Sequence, residues 1–456
     1  VNHLEDDEGW APTPLAVELL TVAFVLVALT AGGSSNPVSS GIVRVASLPV
    51  LFVALWRAST WPGARSWAWP ALTLLAAIAL CLAQLVPLPP EVWSALPGRG
   101  LIVEGYAAAG LAPPALPLSM APRETLDSLL GLLPPAAAFF AVMGLDEAAR
   151  RRLAILVVVV ALISICLGML QIAGGERSAL RFYAFTNLNA AVGFFANRNH
   201  QASFLVAAIP LAAGVAASFA RRPSRAAFVT VAAVSVVVVL MIGVAVTRSR
   251  AGVVLLLPAF LGALLVMSRA RQGRSGLRAL WPAAAMGGAI LAGAVLIGLF
   301  SFTALADRFA SGDETRPRIA RTVIEAGQDY APFGTGVGSF APVFRIHEPG
   351  EGLMSAFVNH AHNDYAEVWL EAGWPGLAII VAFAAWWAGS LLGIARTWRA
   401  PGRGLQLAGA TVVGVYLAHA LGDYPLRSPA AAVVFAMACG LMIPLAWESE
   451  DEIGEA

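Results

Sequence analysis

Residues 226–267 read AAFVTVAAVSVVVVLMIGVAV, TRSR, AGVVLLLPAFLGALLVM: two apolar runs joined only by Thr247-Arg248-Ser249-Arg250. Crossing a hydrocarbon core about 30 Å thick takes roughly 20 residues of α-helix, and each run comes close to that length. A helix apolar on every side has no face to offer water, so these runs point to lipid or to the middle of a helix bundle. The pattern recurs along the chain. Of 456 residues, 58% are hydrophobic and 12% charged, and the mean hydropathy is +0.74. Length alone suggests two or more soluble domains; composition overrules it and predicts a polytopic membrane protein.

The same yardstick predicts an all-α fold of about 12 transmembrane helices. They fall near 13–31, 41–56, 67–88, 126–145, 153–173, 199–220, 226–246, 251–267, 279–302, 374–395, 405–421 and 428–447. The second is short and carries Arg44. Pro134, Pro135, Pro210 and Pro258 fall inside spans and predict local kinks that neighbouring helices absorb. The organisation read from this is helices 1–9 over 1–302, a polar catalytic segment over 303–373, helices 10–12 over 374–447 and an acidic tail over 448–456. Neither an internal repeat nor a separate soluble domain is evident. The proline-rich stretch 89–122 is expected to lie along the outer surface.

Arginine placement sets the expected orientation, because short cytoplasmic loops are enriched in positive charge. Arg57 with Arg65, Arg150 to Arg152, Arg221, Arg222 and Arg225, Arg269 through Arg278, and Arg396 with Arg399 and Arg403 fall on alternate connections. That side reads as cytoplasmic, with both termini. The opposite side then receives the stretches 89–125 and 304–373, along with Arg198, Arg248, Arg250, Asp423 and Arg427. The arginines there need a reason other than topology. The N-terminus, Val1-Asn2-His3-Leu4-Glu5-Asp6-Asp7-Glu8, is acidic and lacks the basic start of a cleaved signal, so the first span is read as a retained anchor.

A net charge of +1 leaves no basic face for a nucleic acid. Every cationic side chain of the lysine/arginine class is arginine. Arginine forks onto phosphate, although a GC-rich genome produces the same bias. Cys81, Cys166 and Cys439 sit in apolar runs without paired or metal-ligand spacing.

Four polar clusters interrupt the apolar background. Asn197-Arg198-Asn199-His200 precedes the sixth span, and is either an interfacial anchor or a guanidinium fixed by flanking amides. Arg248 and Arg250 lie in a connection so tight that both stay near the membrane plane, where an anion or an acid would be their natural partner. Arg318, Arg321 and Glu325 share one helical face and can simply pair. They lead into Pro332-Phe333-Gly334-Thr335-Gly336-Val337-Gly338, which matches no nucleotide fingerprint. The last is His360-Ala361-His362-Asn363-Asp364-Tyr365, with Glu367 three residues after Asp364 at capping-box spacing, predicting a helix start at Asp364. His362 then precedes a helix N-terminus, a setting that favours a nearby anion, and is a candidate general base; Asp364, Glu367 and Glu371 are alternatives. His360 and His362 lack a third ligand at the usual zinc spacing, so no metal is expected.

In order and spacing these motifs resemble the O-antigen ligase and O-antigen polymerase superfamily of bacterial inner-membrane glycosyltransferases. The likeness runs from about Phe194 to the last span. It rests on Asn197-Arg198-Asn199, Ser249-Arg250, the arginines before the glycine loop, His362-Asn363-Asp364-Tyr365 and Gly373-Trp374-Pro375-Gly376. It implies a glycan donor on a polyprenyl diphosphate such as undecaprenyl diphosphate, and a saccharide or lipid-linked acceptor such as lipid A core. It further implies inverting transfer without metal or cofactor. Carried over residue by residue, Arg198 and Arg250 match arginines that hold the donor diphosphate, with Arg248 beside them. His362 matches the essential histidine, and Arg318, then Arg321, the loop arginine. Asn197, Asn199, His360, Asn363, Asp364, Tyr365 and Glu367 support them. The sequence departs at Thr322, where many relatives carry tryptophan. A polymerase joining carrier-linked repeat units fits the same motifs, and a transporter is the reading from another class.

Overall fold

The computed structural model describes residues 13–219, 226–269, 287–288, 315–348, 357–397 and 402–445. Among them nine helices are long and apolar enough to cross a membrane. These include α1 (Pro14–Ala31), α2 (Pro37–Trp56) and α3 (Ala64–Leu85), followed after a short cap by the pair α6 (Pro122–Leu130) and α7 (Leu133–Met143), which together make one span. Then come α8 (Glu147–Ala173), α9 (Arg198–Phe219), α10 (Ala226–Val246) and α11 (Arg250–Arg269). After α12 (Thr315–Asp329) and α13 (Phe340–His347), the long α14 (Asp364–Arg396) is the ninth. Two shorter helices, α15 (Arg403–His419) and α16 (Pro429–Met442), stand where the last two spans were predicted. The ninth predicted span, 279–302, the linker arginines Arg221, Arg222, Arg225, Arg271, Arg274 and Arg278, and the acidic tail lie outside the described residues.

The bundle is built around α9. Its sequence is rich in alanine, and Ala202, Ala207, Ala208 and Ala213 are fully enclosed, so neighbouring backbones approach closely. Helices α8, α10, α11 and α15 pack on it. Outer helices instead expose large apolar side chains, such as Phe228, Val254 and Leu257, as lipid-facing surfaces do.

Arg44, the anomaly in the second predicted span, has a partner. Its guanidinium forks onto Asp127, with Nη1 at 2.6 Å from Oδ1 and Nη2 at 2.9 Å from Oδ2. Charges inside a membrane bundle persist when paired in this way. Arg150 is also more than a topology signal. It is buried and donates to the carbonyls of Val142, Met143, Leu145 and Ile443, tying together the C-terminal ends of α7 and α16.

The stretch 89–122 differs from its expectation. Instead of merely lying on the surface it forms a cap. Strands β1 (Pro87–Leu88) and β2 (Leu116–Pro117) pair antiparallel around α4 (Pro90–Trp93) and α5 (Gly100–Ala108). Buried Arg99 donates to the Leu118 carbonyl. The cap then docks on the glycine loop: Met120 N–H donates to the Thr335 carbonyl at 2.7 Å, and the Thr125 hydroxyl to that of Val337 at 2.7 Å.

Helix α14 holds the centre of the site. It is continuous in outline but broken at Gly373, where φ is 56° and ψ is −145°. A side chain is excluded there, since a Cβ would stand 2.1 Å from the Pro332 carbonyl oxygen, and Trp374 N–H donates to that same oxygen at 3.0 Å.

Candidate active site

The helix that follows His362 starts where the spacing predicted, at Asp364, but by a different device. Asn363 is the cap: its Oδ1 accepts from Tyr365 N–H and Ala366 N–H, each at 3.0 Å. Glu367 does not close a capping box. Its Oε2 accepts the Ala361 N–H at 2.8 Å, and Oε1 lies 2.8 Å from His360 Nδ1. Between these anchors, His362 adopts φ 52°, a left-handed conformation that a non-glycine residue keeps only when its surroundings impose it.

The imidazole is directed at Asp423, which is fully buried in the turn after α15. His362 Nδ1 lies 3.4 Å from Asp423 Oδ1, and that oxygen also accepts Tyr424 N–H at 3.0 Å. Oδ2 accepts from Asn199 Nδ2 at 2.5 Å and from Arg316 Nη1 at 3.4 Å. His200 Nε2 stands 4.0 Å from Oδ1. Burial by itself would raise the Asp423 carboxyl, but the His362 hydrogen bond and the nearby His200, Arg316 and His419 hold it well below the usual carboxylate range. The Tyr424 ring fills the space between histidines, 4.1 Å from the His360 ring, 5.1 Å from His362 and 5.2 Å from His200, centroid to centroid. Burial, then the Asp423 charge, push its hydroxyl up.

Asn199 links this hub to the second arginine motif. Its Oδ1 accepts the Ser249 hydroxyl at 2.8 Å, while Ser249 Oγ also accepts Gly252 N–H at 3.0 Å, capping α11. The first turn of α9 is fixed in turn by Asn197 Oδ1, which accepts Asn199 N–H at 2.8 Å, and by Asn187 Oδ1, which accepts Arg198 N–H at 2.9 Å. Arg198 and Arg250, both half-buried, open these two helices directly beside the bonded Asn199 and Ser249. Arg248 is exposed with φ 55°.

Along α12, Arg316 is the arginine that reaches Asp423, while Arg318, Arg321 and Glu325 are exposed. The apolar side of α12, Ile319, Val323 and Ala326, is what packs beneath. The glycine loop leaves few amides for a phosphate: Thr335 N–H donates to the Leu370 carbonyl at 3.0 Å and Gly336 N–H to that of Glu371 at 2.8 Å. Positive φ at Gly334, Gly336 and Gly338 lets it fold tightly onto α14. Sequence reasoning missed Asp423 and Arg427 as site residues; it noted them only as charges on the same side as Arg198. Arg427 sits against Asp364, Glu367 and Glu371. Burial works against its charge, yet those carboxylates make it more basic than a free arginine. An open groove of about 610 Å³ runs beside the cluster, lined by Ile324, Gln328, Tyr365, Ala366, Trp369 and Trp374. It lies along a different face of α14 from Glu367 and Glu371.

Residues 235–381 match the O-antigen ligase family model (Wzy_C). The match supports membership of the O-antigen ligase and polymerase superfamily, as the motifs suggested. The O-antigen ligase match takes in Ser249, Arg250, α12, the glycine loop and His362. Asn199, Asp423 and Arg427 fall outside it and join the site through contacts alone. No curated protein matches the chain. The nearly all-helical fold, with nine apolar helices of membrane-spanning length among the described residues, is that of a polytopic membrane protein, and the family matched by 235–381 is one of bacterial, glycosyltransferase-like O-antigen ligases and polymerases.

Proposed function

We propose that this chain transfers a glycan from a polyprenyl diphosphate carrier to an acceptor hydroxyl on the periplasmic face of the bacterial inner membrane. The observation that carries the reading is convergence: Asn199, Ser249 and His362, from three separate motifs, are linked by hydrogen bonds through one buried carboxylate, Asp423. A carboxylate accepting the Nδ1 proton of an imidazole fixes the tautomer in which Nε2 is the basic atom. His362 Nε2 then takes the proton of the acceptor hydroxyl as its oxygen attacks the anomeric carbon. The bond from that carbon to the carrier phosphate breaks, and the electron pair leaves with the diphosphate. Preorganised guanidinium groups stabilise the charge that develops there. Arg198 and Arg250, with Arg248, are assigned that role; Arg318 and Arg321, exposed on α12, meet the donor from the solvent side.

The test is reconstitution in liposomes with a polyprenyl-diphosphate-linked glycan and a lipid A core acceptor. Transfer by the wild-type chain and none by His362→Ala supports the reading; transfer undiminished in His362→Ala refutes it. The product that accumulates in a deletion strain assigns the role: carrier-linked long chains identify a ligase, single carrier-linked repeat units a polymerase. Transport without chemistry is disfavoured by the setting of the Asp423 cluster, whose polar groups come from turns and helix starts and not from paired broken helices at the middle of the bundle.

A further inference from the structure

Arg427 has no part in the chemistry above, although it lies next to it. It ends the short helical turn Pro425–Arg427, and its guanidinium reaches three carboxylates of one helix. Nη2 is 3.1 Å from Glu367 Oε1 and 3.1 Å from Glu371 Oε2, and Nε is 3.5 Å from Asp364 Oδ1. Positions 364, 367 and 371 are three and four apart and form one stripe of α14. The side chains of Glu367 and Glu371 are 1% and 0% exposed, so without a cation this stripe would repel itself in a poorly solvated place.

Two of the three carboxylates also hold something else. Glu367 binds His360 Nδ1 and Ala361 N–H, and Glu371 Oε1 accepts Phe340 N–H at 3.1 Å, fastening the start of α13. The chain of contacts therefore runs from Arg427 through Glu367 to residues 360 and 361. The next residue is His362, in its left-handed conformation. Such a backbone stays put only while its neighbours over-determine it.

We propose that Arg427 is the positioning residue for His362: its fork holds the acidic stripe of α14 together, and Glu367 in that stripe holds the backbone that aims the imidazole. Only the activity readout rests on the transfer reaction proposed above. Lysine supplies the charge at this position but not a planar fork that spans several carboxylates.

The experiment combines hydrogen–deuterium exchange of the full-length protein in detergent with the liposome transfer assay. In Arg427→Gln, amides of residues 359–363 should exchange about tenfold faster and kcat should fall at least about tenfold, with the donor KM nearly unchanged. Adding Glu371→Gln, which removes one uncompensated charge yet still accepts Phe340 N–H, should restore most of both. Arg427→Lys should fall between. Unchanged exchange at 359–363 in Arg427→Gln, or no recovery in the double variant, overturns the proposal. If Arg427→Gln does not accumulate in membranes, Arg427→Lys decides, and wild-type exchange there is the overturning result. Altered exchange in a protein whose wild type transfers no glycan would keep the positioning role and sink the reaction instead.

Discussion

Replacing Asp423 by asparagine changes one atom in a site with no slack. The carboxylate takes four donors: Tyr424 N–H and His362 Nδ1 on Oδ1, Asn199 Nδ2 and Arg316 Nη1 on Oδ2. An amide can keep only one oxygen. Whichever way it turns, its NH2 faces two donors, either the Asn199 amide with the Arg316 guanidinium or Tyr424 N–H with the imidazole. Hydrogen bonds to charged groups are worth about 1.5–3 kcal/mol each, so losing two puts about 3–6 kcal/mol on local order and on the His362 tautomer. At about 1.4 kcal/mol per decade this corresponds to a loss of about 10²- to 10⁴-fold, the range general-base catalysis itself supplies. The assay is transfer from a carrier-linked glycan in liposomes, normalised to folded protein by size-exclusion monodispersity. Asp423→Asn keeping more than about half of wild-type kcat would refute the reasoning, because no intact set of four acceptor contacts survives the change. The same carboxylate gives a pH signature. Its folded pKa is depressed, so its stabilising contribution is complete above the unfolded value, about pH 4, and is lost as pH falls through the folded one. Wild type should therefore lose thermal stability on acidification below about pH 4 more steeply than Asp423→Asn does.

Arg250→Ala and His362→Ala are each expected to abolish transfer without lowering membrane abundance, checked by product analysis beside immunoblots of membrane fractions. Gly373→Ala should destabilise by at least about 1–3 kcal/mol, since φ 56° disfavours a side chain and the Cβ meets the Pro332 carbonyl; a lowered melting temperature in detergent measures it. Arg150→Met strips the carbonyls of Val142, Leu145, Met143 and Ile443 of a shared donor. It should cost about 3–5 kcal/mol of stability while leaving the kcat of the surviving folded protein within about twofold. Arg316→Ala should cost more activity than Arg318→Ala if the Asp423 hub matters more than solvent-side donor contacts, and comparing their kcat and donor KM separates the two roles.

What the sequence made legible is what is local. Apolar run length located the helices, and the pairing of Arg44 with Asp127 explains why a short run with a charge still forms one. The motif residues Asn199, Ser249 and His362 stood out because polar groups are scarce in such a chain. What joins them was not legible. Asp423 lies 224 residues from Asn199 and 61 from His362, and no spacing rule connects positions so far apart. Its only local signal is an acid in a tight turn between apolar runs, which reads equally well as a solvated loop. The start of α14 shows the opposite failing: the helix began on schedule, yet Glu367 was drawn away from the expected cap by His360 and Ala361, contacts that exist only once the loop has folded back.

The break at Gly373 divides α14 into two rods with different masters. The upper rod follows the imidazole loop and is held by Thr335 and Gly336, whose N–H groups reach the Leu370 and Glu371 carbonyls, while Pro332 holds Trp374 at the head of the lower, apolar rod. Membrane helices answer a change of bilayer thickness by tilting, and a break in the backbone is where such a tilt would be absorbed. A methyl group added at residue 373 would fuse the two rods into one lever.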